Sequence, residues 1–396
     1  MRDPIALRSA DLRTVSRLTF LAGAFALLFG AVPAPAQESV TVNSSAGPLT
    51  VETVAGGLDH PWSLAFLPDG RMLVTERSGK LRIVRRSGTV SAPVAGLPPV
   101  YARGQGGLLD VVLAPDFDMS RMVYFSYAEP REGSSGTSVA RGKLVEDAGS
   151  ARLDNVEVIF RQQHAVGGSA HYGSRLVFAR DGTLFVTLGD RFSERDQAQR
   201  LSNHLGKIVR IRPDGSAPQD NPFAKLANAR PEIWSYGHRN VQGAALDPQT
   251  GRLWTIEHGA RGGDELNHPE AGKNYGWPVI TYGRDYSGLS IGEGTQKDGM
   301  EPPVKYWDPS IAPSGLAFYT GDLIAPWKGD LFTGALAGQR LVRLRLDPAR
   351  EHVVGEEVLL GDFGERIRDV RQGPDGALWL LTDNAPGRLL RLAPAD

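Results

Sequence analysis

A short polar turn followed by a run of β-branched and aromatic residues recurs along the chain. Pro68-Asp69-Gly70-Arg71-Met72-Leu73-Val74-Thr75-Glu76 is matched loosely by Arg180-Asp181-Gly182-Thr183-Leu184-Phe185-Val186-Thr187, by Pro248 to Glu257 around Gly251-Arg252-Leu253-Trp254-Thr255, and by Pro374-Asp375-Gly376-Ala377-Leu378-Trp379. Two weaker copies are Pro115-Asp116-Phe117 leading to Met122-Val123-Tyr124-Phe125, and Gly329-Asp330-Leu331-Phe332. An Asp/Gly turn ahead of such a run reads as a hairpin turn and a half-buried strand. Strand-like runs such as Leu81-Arg82-Ile83-Val84, Lys207-Ile208-Val209-Arg210-Ile211 and Leu341-Val342-Arg343-Leu344 follow several copies. Helical periodicity over a dozen residues is absent after residue 40. Six such units predict an all-β fold, a six-bladed β-propeller of four-stranded antiparallel blades, because radial closure protects the sheet edges. A β-sandwich does not need six similar units, and β-helix repeats are much shorter. At about 60 residues per unit the repeat exceeds the roughly 40–50 of common blades, so the surplus is inserted loops. The longest fall around Arg191 to Phe223 and Arg261 to Pro303. Long loops on one end of a rigid scaffold are where sites are built.

The start of the chain follows a different pattern. Arg2, Arg8, Arg13 and Arg17 precede an apolar stretch from Leu18 to Val32, then Ala34-Pro35-Ala36. This reads as a secretory signal peptide spanning residues 1–36, too short in its apolar part for a bilayer span and cleaved near Ala36. It leaves residues 37–396 as a single propeller domain, periplasmic or secreted, with no stable membrane insertion. The 396 residues include no cysteine, which removes disulfide scaffolds, thiolate metal sites and cysteine nucleophiles. Any metal is therefore held by oxygen or imidazole. With 44 basic against 45 acidic side chains and no long basic run, the chain does not suit a nucleic-acid partner.

Three clusters carry candidate chemistry. Ile256-Glu257-His258-Gly259-Ala260-Arg261-Gly262-Gly263-Asp264-Glu265-Leu266-Asn267 combines carboxylates, an amide and unhindered main-chain carbonyls. Calcium takes six to eight oxygen ligands in irregular geometry, and glycines let carbonyls turn inward to supply some; solvated loop charges are the bland alternative. Tyr236-Gly237-His238-Arg239-Asn240-Val241-Gln242-Gly243 concentrates planar donors suited to an anionic, carbonyl-rich ligand. In His171-Tyr172-Gly173-Ser174-Arg175-Leu176, followed by Leu188-Gly189-Asp190-Arg191, a strand running out and back brings Asp190 to His171. A carboxylate behind a histidine fixes its tautomer and strengthens it as a base. The alternative there is a capped turn His and a turn Asp.

These strings carry a resemblance. Gly104-Gln105-Gly106-Gly107-Leu108-Leu109-Asp110, the His171 and Arg239 segments, Asp264-Glu265-Leu266-Asn267 with Asn274-Tyr275-Gly276-Trp277-Pro278, and Arg366-Ile367-Arg368-Asp369-Val370 resemble, in register from about Leu58 to Leu390, the glucose/sorbosone dehydrogenase family of soluble quinoproteins. The periplasmic aldose sugar dehydrogenase branch is the most similar. The resemblance implies a six-bladed propeller holding pyrroloquinoline quinone (PQQ) and calcium, and oxidation of an aldose at C1 to an aldonolactone. It implies roles as well: His171 is the general base, Asp190 orients it and borders the sugar, and Gln105 lies beside both sugar and cofactor. Arg239, Asn240 and Gln242 contact the quinone, with Arg239 polarising its reactive carbonyl, and Arg366 and Arg368 stand on its far side. The carbonyls of Gly259 and Ala260 bind the cofactor-side calcium, and Glu265 and Tyr275 a second, structural calcium.

Glucose-specialised relatives have a lysine where this chain has Leu336-Ala337-Gly338-Gln339, so one charge contact to the cofactor is missing or supplied elsewhere. Ala260 stands where some relatives have proline, and Lys305 to Pro313 differs in detail from the glucose branch, which implies a broad aldose pocket. Electrons leave through a separate acceptor, and the protein is a monomer or homodimer. Two other classes share the scaffold, calcium-dependent lactonases and non-catalytic binding propellers. The arginine set weighs against the first, and His171 with Asp190 against the second.

Overall fold

Each of the six turn-and-strand copies becomes the same piece of structure, the turn between the first and second strands of one blade. The computed structural model describes residues 39–395, so the expected signal peptide lies outside the described residues. In the four strong copies the turn glycine has a positive φ, 82° at Gly70, 81° at Gly182, 74° at Gly251 and 79° at Gly376. A side chain there is strained, which is why the repeat keeps glycine at this point.

Six antiparallel sheets stand around a central axis. The first is three-stranded, Pro61–Phe66, Met72–Glu76 and Lys80–Val84. The second has Leu108–Leu113, Met122–Arg131, Ser134–Asp147 and Ser150–Arg161. The third has Leu176–Phe178, Leu184–Thr187, Lys207–Ile211 and Ile233–Tyr236. The fourth comprises Val241–Leu246, Leu253–Glu257, Asp264–Asn267 and Lys305–Trp307, and the fifth Pro313–Phe318, Leu331–Ala335, Arg340–Leu346 and Val353–Leu359. The sixth sheet is five-stranded. Ile367–Gln372, Leu378–Thr382 and Gly387–Pro394 are completed by the early strands Gly47–Leu58 and Ser39–Ser44. Val51 pairs with Leu392 and Leu49 with Pro394, so the start of the propeller zips onto its end and closes the ring.

The expectation of four strands per blade holds for four of the six sheets. The sixth departs from it because two early strands, Gly47–Leu58 and Ser39–Ser44, join its own three and close the ring, and the first keeps three. The two insertions are also each interrupted. Lys207–Ile211 divides the first, and Asp264–Asn267 occupies the start of the second. Among the described residues, helix is limited to the four-residue α-helix Phe117–Ser120 and two short 3₁₀ turns.

Apolar side chains fill the spaces between neighbouring sheets. Leu64, Val74, Trp379 and Leu381 pack the join between the first and last blades, and Trp254, Leu316 and Leu331 that between the fourth and fifth. Where the inner strands converge the packing turns ionic. Arg175, 1% exposed, pairs with Asp110 at 3.3 Å and Asp369 at 3.0 Å, and Arg371 bonds the same two carboxylates. Its guanidinium lies 4.1 Å over the Trp62 ring and donates to the carbonyls of Gln242 and Arg368. Buried charges persist only when paired in this way. The cluster is the floor on which the site stands.

Candidate active site

In an antiparallel blade the start of the first strand and the end of the second lie at the same end. His171 precedes Leu176–Phe178 and Asp190 follows Leu184–Thr187, with Leu176 paired to Val186. The pleat therefore carries both residues to one rim, and His171 Nδ1 lies 2.6 Å from Asp190 Oδ1. Gly189 makes the approach possible, since a Cβ there would stand 2.1 Å from the His171 carbonyl oxygen. Both side chains are buried, and His171 itself has a φ of 52°. A non-glycine residue held there is strained and is kept by its surroundings.

Burial pushes the His171 imidazole below its ordinary value, and the Asp190 bond does not fully offset it. The ring is therefore neutral at pH 7. With Nδ1 on the carboxylate, Nε2 is the basic nitrogen. For Asp190, burial works upward, but the His171 bond and the Arg239 charge outweigh it and hold the carboxyl low. Gln105 Oε1 accepts the His171 main-chain N–H at 2.7 Å, fixing the backbone that carries the ring.

Beside this pair is a cavity lined by Trp62, Gln105, Gln242, His258, Arg366 and Arg368. Gln242 Nε2 donates to the Gly173 carbonyl at 3.2 Å, and its Oε1 accepts Arg368 Nη1 at 3.0 Å. Asn240 Oδ1 accepts the Gly173 N–H at 3.1 Å. Arg366 Nη1 donates to the Leu336 carbonyl at 3.1 Å. Three buried donors of this set have no partner, Arg239 Nε, Asn240 Nδ2 and Arg368 Nε. Orphaned buried donors are costly, so a region that keeps them on Arg368 and on the neighbouring Arg239-Asn240 segment is suited to an acceptor-rich ligand.

The structure adds residues that sequence reasoning passed over. Arg77 and Asp383 line the same cavity. Asp383 pairs with Arg368 at 2.8 Å, Arg366 at 3.5 Å and Arg77 at 3.8 Å, so three guanidinium groups share one carboxylate. Leu336 borders the cavity without contributing charge, and Arg77 supplies a cation from the opposite side of the sequence. His258 Nε2 bonds the Pro313 carbonyl at 2.7 Å, and burial pushes its imidazole down to about 3. These residues come from different blades, each at the end of a second strand, and only that recurring position marked them.

The expected cation positions divide into two groups. Arg239 Nη1 reaches the carbonyls of His258 and Gly259, so Gly259 presents its oxygen to positive charge. A Cβ at Gly259 would meet the Gly262 and Gly263 carbonyl oxygens at 2.2 and 2.3 Å, which shows how densely oxygens are packed in this turn. Ala260 is buried beside Trp277. Glu265 and Tyr275 lie near Glu257 rather than at the cavity. Burial, then the Glu257 charge, pushes the Glu265 carboxyl well up, and Asn267 links the two carboxylates while its own Oδ1 has no partner. The Tyr275 hydroxyl is spent on the His268 carbonyl and the Glu270 N–H, which leaves only its main-chain oxygen for a cation. Among the described residues no three His, Asp or Glu side chains converge as a metal cluster.

The chain is similar to known proteins over nearly all of the propeller. Residues 58–391 match the model of the glucose/sorbosone dehydrogenase family. The aldose sugar dehydrogenase YliI of Escherichia coli is 47% identical over 352 residues, covering 88% of this chain and 94% of that protein. The solved apo-form of the soluble aldose sugar dehydrogenase from Escherichia coli superposes with a TM-score of 0.84 at 46% identity, over 88% of this chain and all of that one. The PQQ-bound aldose sugar dehydrogenase from Streptomyces coelicolor does so with a TM-score of 0.72 at 30% identity, over 91% of this chain and 99% of that one. The chain belongs to the glucose/sorbosone dehydrogenase family.

Proposed function

We propose that this protein is a PQQ- and calcium-dependent aldose sugar dehydrogenase that oxidises the sugar C1 to an aldonolactone. The observation that carries this reading is the buried His171–Asp190 pair beside a cavity with more guanidinium than carboxylate, where the buried Arg368 Nε has no partner. The donor set fits a planar polycarboxylate with carbonyl groups, since arginines and amides bind such acceptors in pairs. Arg77, Arg366 and Arg368 would hold its carboxylates, with Gln105, Asn240 and Gln242 bonding its remaining oxygens. The carbonyls of Gly259 and Ala260 would hold the cofactor-side calcium, and Glu265, with the main-chain oxygen of Tyr275, a structural one. When bound, PQQ supplies the two-electron acceptor for the C1 hydrogen, and calcium a Lewis acid beside it.

The chain's own residues do the rest. His171 Nε2 takes the proton of the anomeric hydroxyl, which makes the adjacent C–H a better electron-pair donor. Asp190 holds the tautomer that leaves Nε2 free and stabilises the imidazolium that forms. Arg239 places a fixed cation where negative charge develops, in a site screened from water. Electrons leave to a separate acceptor, and the arginine-rich N-terminus directs the protein to the periplasm or beyond.

Dye reduction by the purified protein tests this, using a panel of aldoses with PQQ and calcium added separately and together. Turnover that requires both is expected; absence of PQQ binding would overturn the reading.

A further inference from the structure

Asp190 is fully buried, and its two oxygens are engaged differently. Oδ1 accepts His171 Nδ1 at 2.6 Å and the Phe192 N–H at 2.8 Å. Oδ2 accepts the indole N–H of Trp277 at 2.8 Å, from a residue 87 positions along the chain. We propose that Trp277 is the positioning residue of the catalytic base, holding the Asp190 carboxylate by Oδ2 so that Oδ1 remains on His171. The claim rests on the reading of His171 as a base and assigns the device that aims it.

The indole is itself held on every side. Its main-chain N–H donates to the Gly237 carbonyl at 2.9 Å, and its carbonyl accepts Gln199 Nε2 at 2.8 Å. The Gln199 amide is locked in turn by two bonds to Asn274, at 2.8 and 3.0 Å. The ring packs on Ala198, Ala260 and Ile291, and the Arg239 guanidinium lies 5.2 Å above it. One side chain therefore touches the carboxylate behind the base, the cation opposite it and the alanine of the carbonyl-rich turn. Packing on Ala198, Ala260 and Ile291 would be met by a ring of the same volume without an N–H, so it does not by itself account for the bond to Asp190.

The donor also tunes the base. A hydrogen bond to a carboxylate stabilises its charge and weakens its pull on a neighbouring imidazolium. Around the His171 ring the charged or titratable groups are Asp190 and Arg191 from one loop, Arg239 ahead of Val241–Leu246, and His258 after Leu253–Glu257. Only Asp190 favours the protonated ring. Removing the indole N–H leaves Oδ2 without its donor, strengthens the hold of Asp190 on imidazolium, and raises the pH at which His171 titrates.

The test replaces Trp277 with β-(3-benzothienyl)alanine, which keeps the ring volume but carries sulfur in place of N–H, alongside Trp277→Phe. A 5-fluorotryptophan protein, which retains the N–H, is the control. The His171 imidazole is titrated by nitrogen-edited NMR in protein without added quinone, and the pH dependence of kcat/KM is measured after addition of PQQ and calcium. The expected result is a His171 midpoint and an acid limb that both rise by about one pH unit. A fall of about tenfold in kcat should accompany it, with sugar KM and PQQ Kd within about threefold of native. Titration curves in both N–H-less proteins that superpose on the native curve would overturn the proposal, as would an equal shift in the 5-fluorotryptophan control. The NMR arm decides the positioning claim even if the native protein oxidises no sugar, an outcome that would count against the proposed function instead.

Discussion

The Phe192 ring stands edge-on to the His171 imidazole, with centroids 5.2 Å apart and planes at 80°. It is 52% exposed, in a backbone conformation with φ at 68°, and its N–H is tied to Asp190. A large apolar ring in water at a site mouth, held in a strained backbone, is placed for a ligand rather than for the core. The C–H face of a sugar whose anomeric hydroxyl reaches His171 would lie on it. Tyr286, its ring centroid 6.3 Å from that of Phe192 and its hydroxyl 3.4 Å from Arg239, continues the surface. Phe192→Ala is expected to raise KM for aldoses about tenfold with a smaller change in kcat. Steady-state kinetics across several sugars check this, and an unchanged KM would remove Phe192 from the sugar site.

Replacement of His171 by alanine should lower kcat by about 10²–10⁴-fold, the range for loss of a general base, while PQQ still binds. Absorbance titration separates the two effects. Retained sugar oxidation would contradict the assignment of the base.

The pH profile follows from the direction in which His171 is displaced. Burial favours the neutral imidazole, which is the form that accepts a proton, so the folded value lies below the ordinary 6.5. Activity limited by this group stays level as pH falls through 6.5 and declines only beneath it. An acid limb of kcat/KM centred above pH 6.5 would show that the ring is not held neutral.

Six turn-and-strand copies were enough to read the number of blades, because the four strong copies each meet a local requirement, a positive-φ glycine ahead of an apolar strand, and the two weaker ones keep the polar turn and the strand. The His171–Asp190 pair was legible for a related reason, since an antiparallel out-and-back brings residues of known spacing together. Arg77 and Asp383 were not legible, because their meeting depends on closure of the ring between Pro61–Phe66 and the last blade. Trp277 lay in a recognised motif, yet nothing local says that its N–H reaches back to Asp190. Strand sharing between the chain ends is likewise a property of closure and has no signal in either segment alone.

Arg77 carries a prediction about the cofactor cavity. Burial works against its charge most, Asp383 favours it and Arg368 and Arg366 oppose it, so the guanidinium is held below its ordinary value. An anionic ligand would favour its charged form. Arg77→Met should weaken PQQ binding by about tenfold, about 1.4 kcal/mol, and reduce its salt dependence, as read by calorimetric titration at two ionic strengths. Equal affinities and equal salt slopes would mean that Arg77 faces the ligand without holding it.

Glu265 tests the structural cation. If calcium is held there, the native protein gains melting temperature on adding calcium and Glu265→Gln gains less, by mass action on the folded state. Equal gains in the two proteins would place any stabilising calcium elsewhere.

In the proposed reaction an aldose delivers electrons to a quinone held beside His171. Anaerobic stopped-flow absorbance of the protein loaded with PQQ and calcium, mixed with glucose and no dye, tests it in one turnover. Rapid reduction of the bound quinone is expected in the native protein, and a rate about 10²–10⁴-fold lower in His171→Ala. A quinone spectrum that no aldose in the panel changes, or one bleached equally fast in the variant, would contradict it.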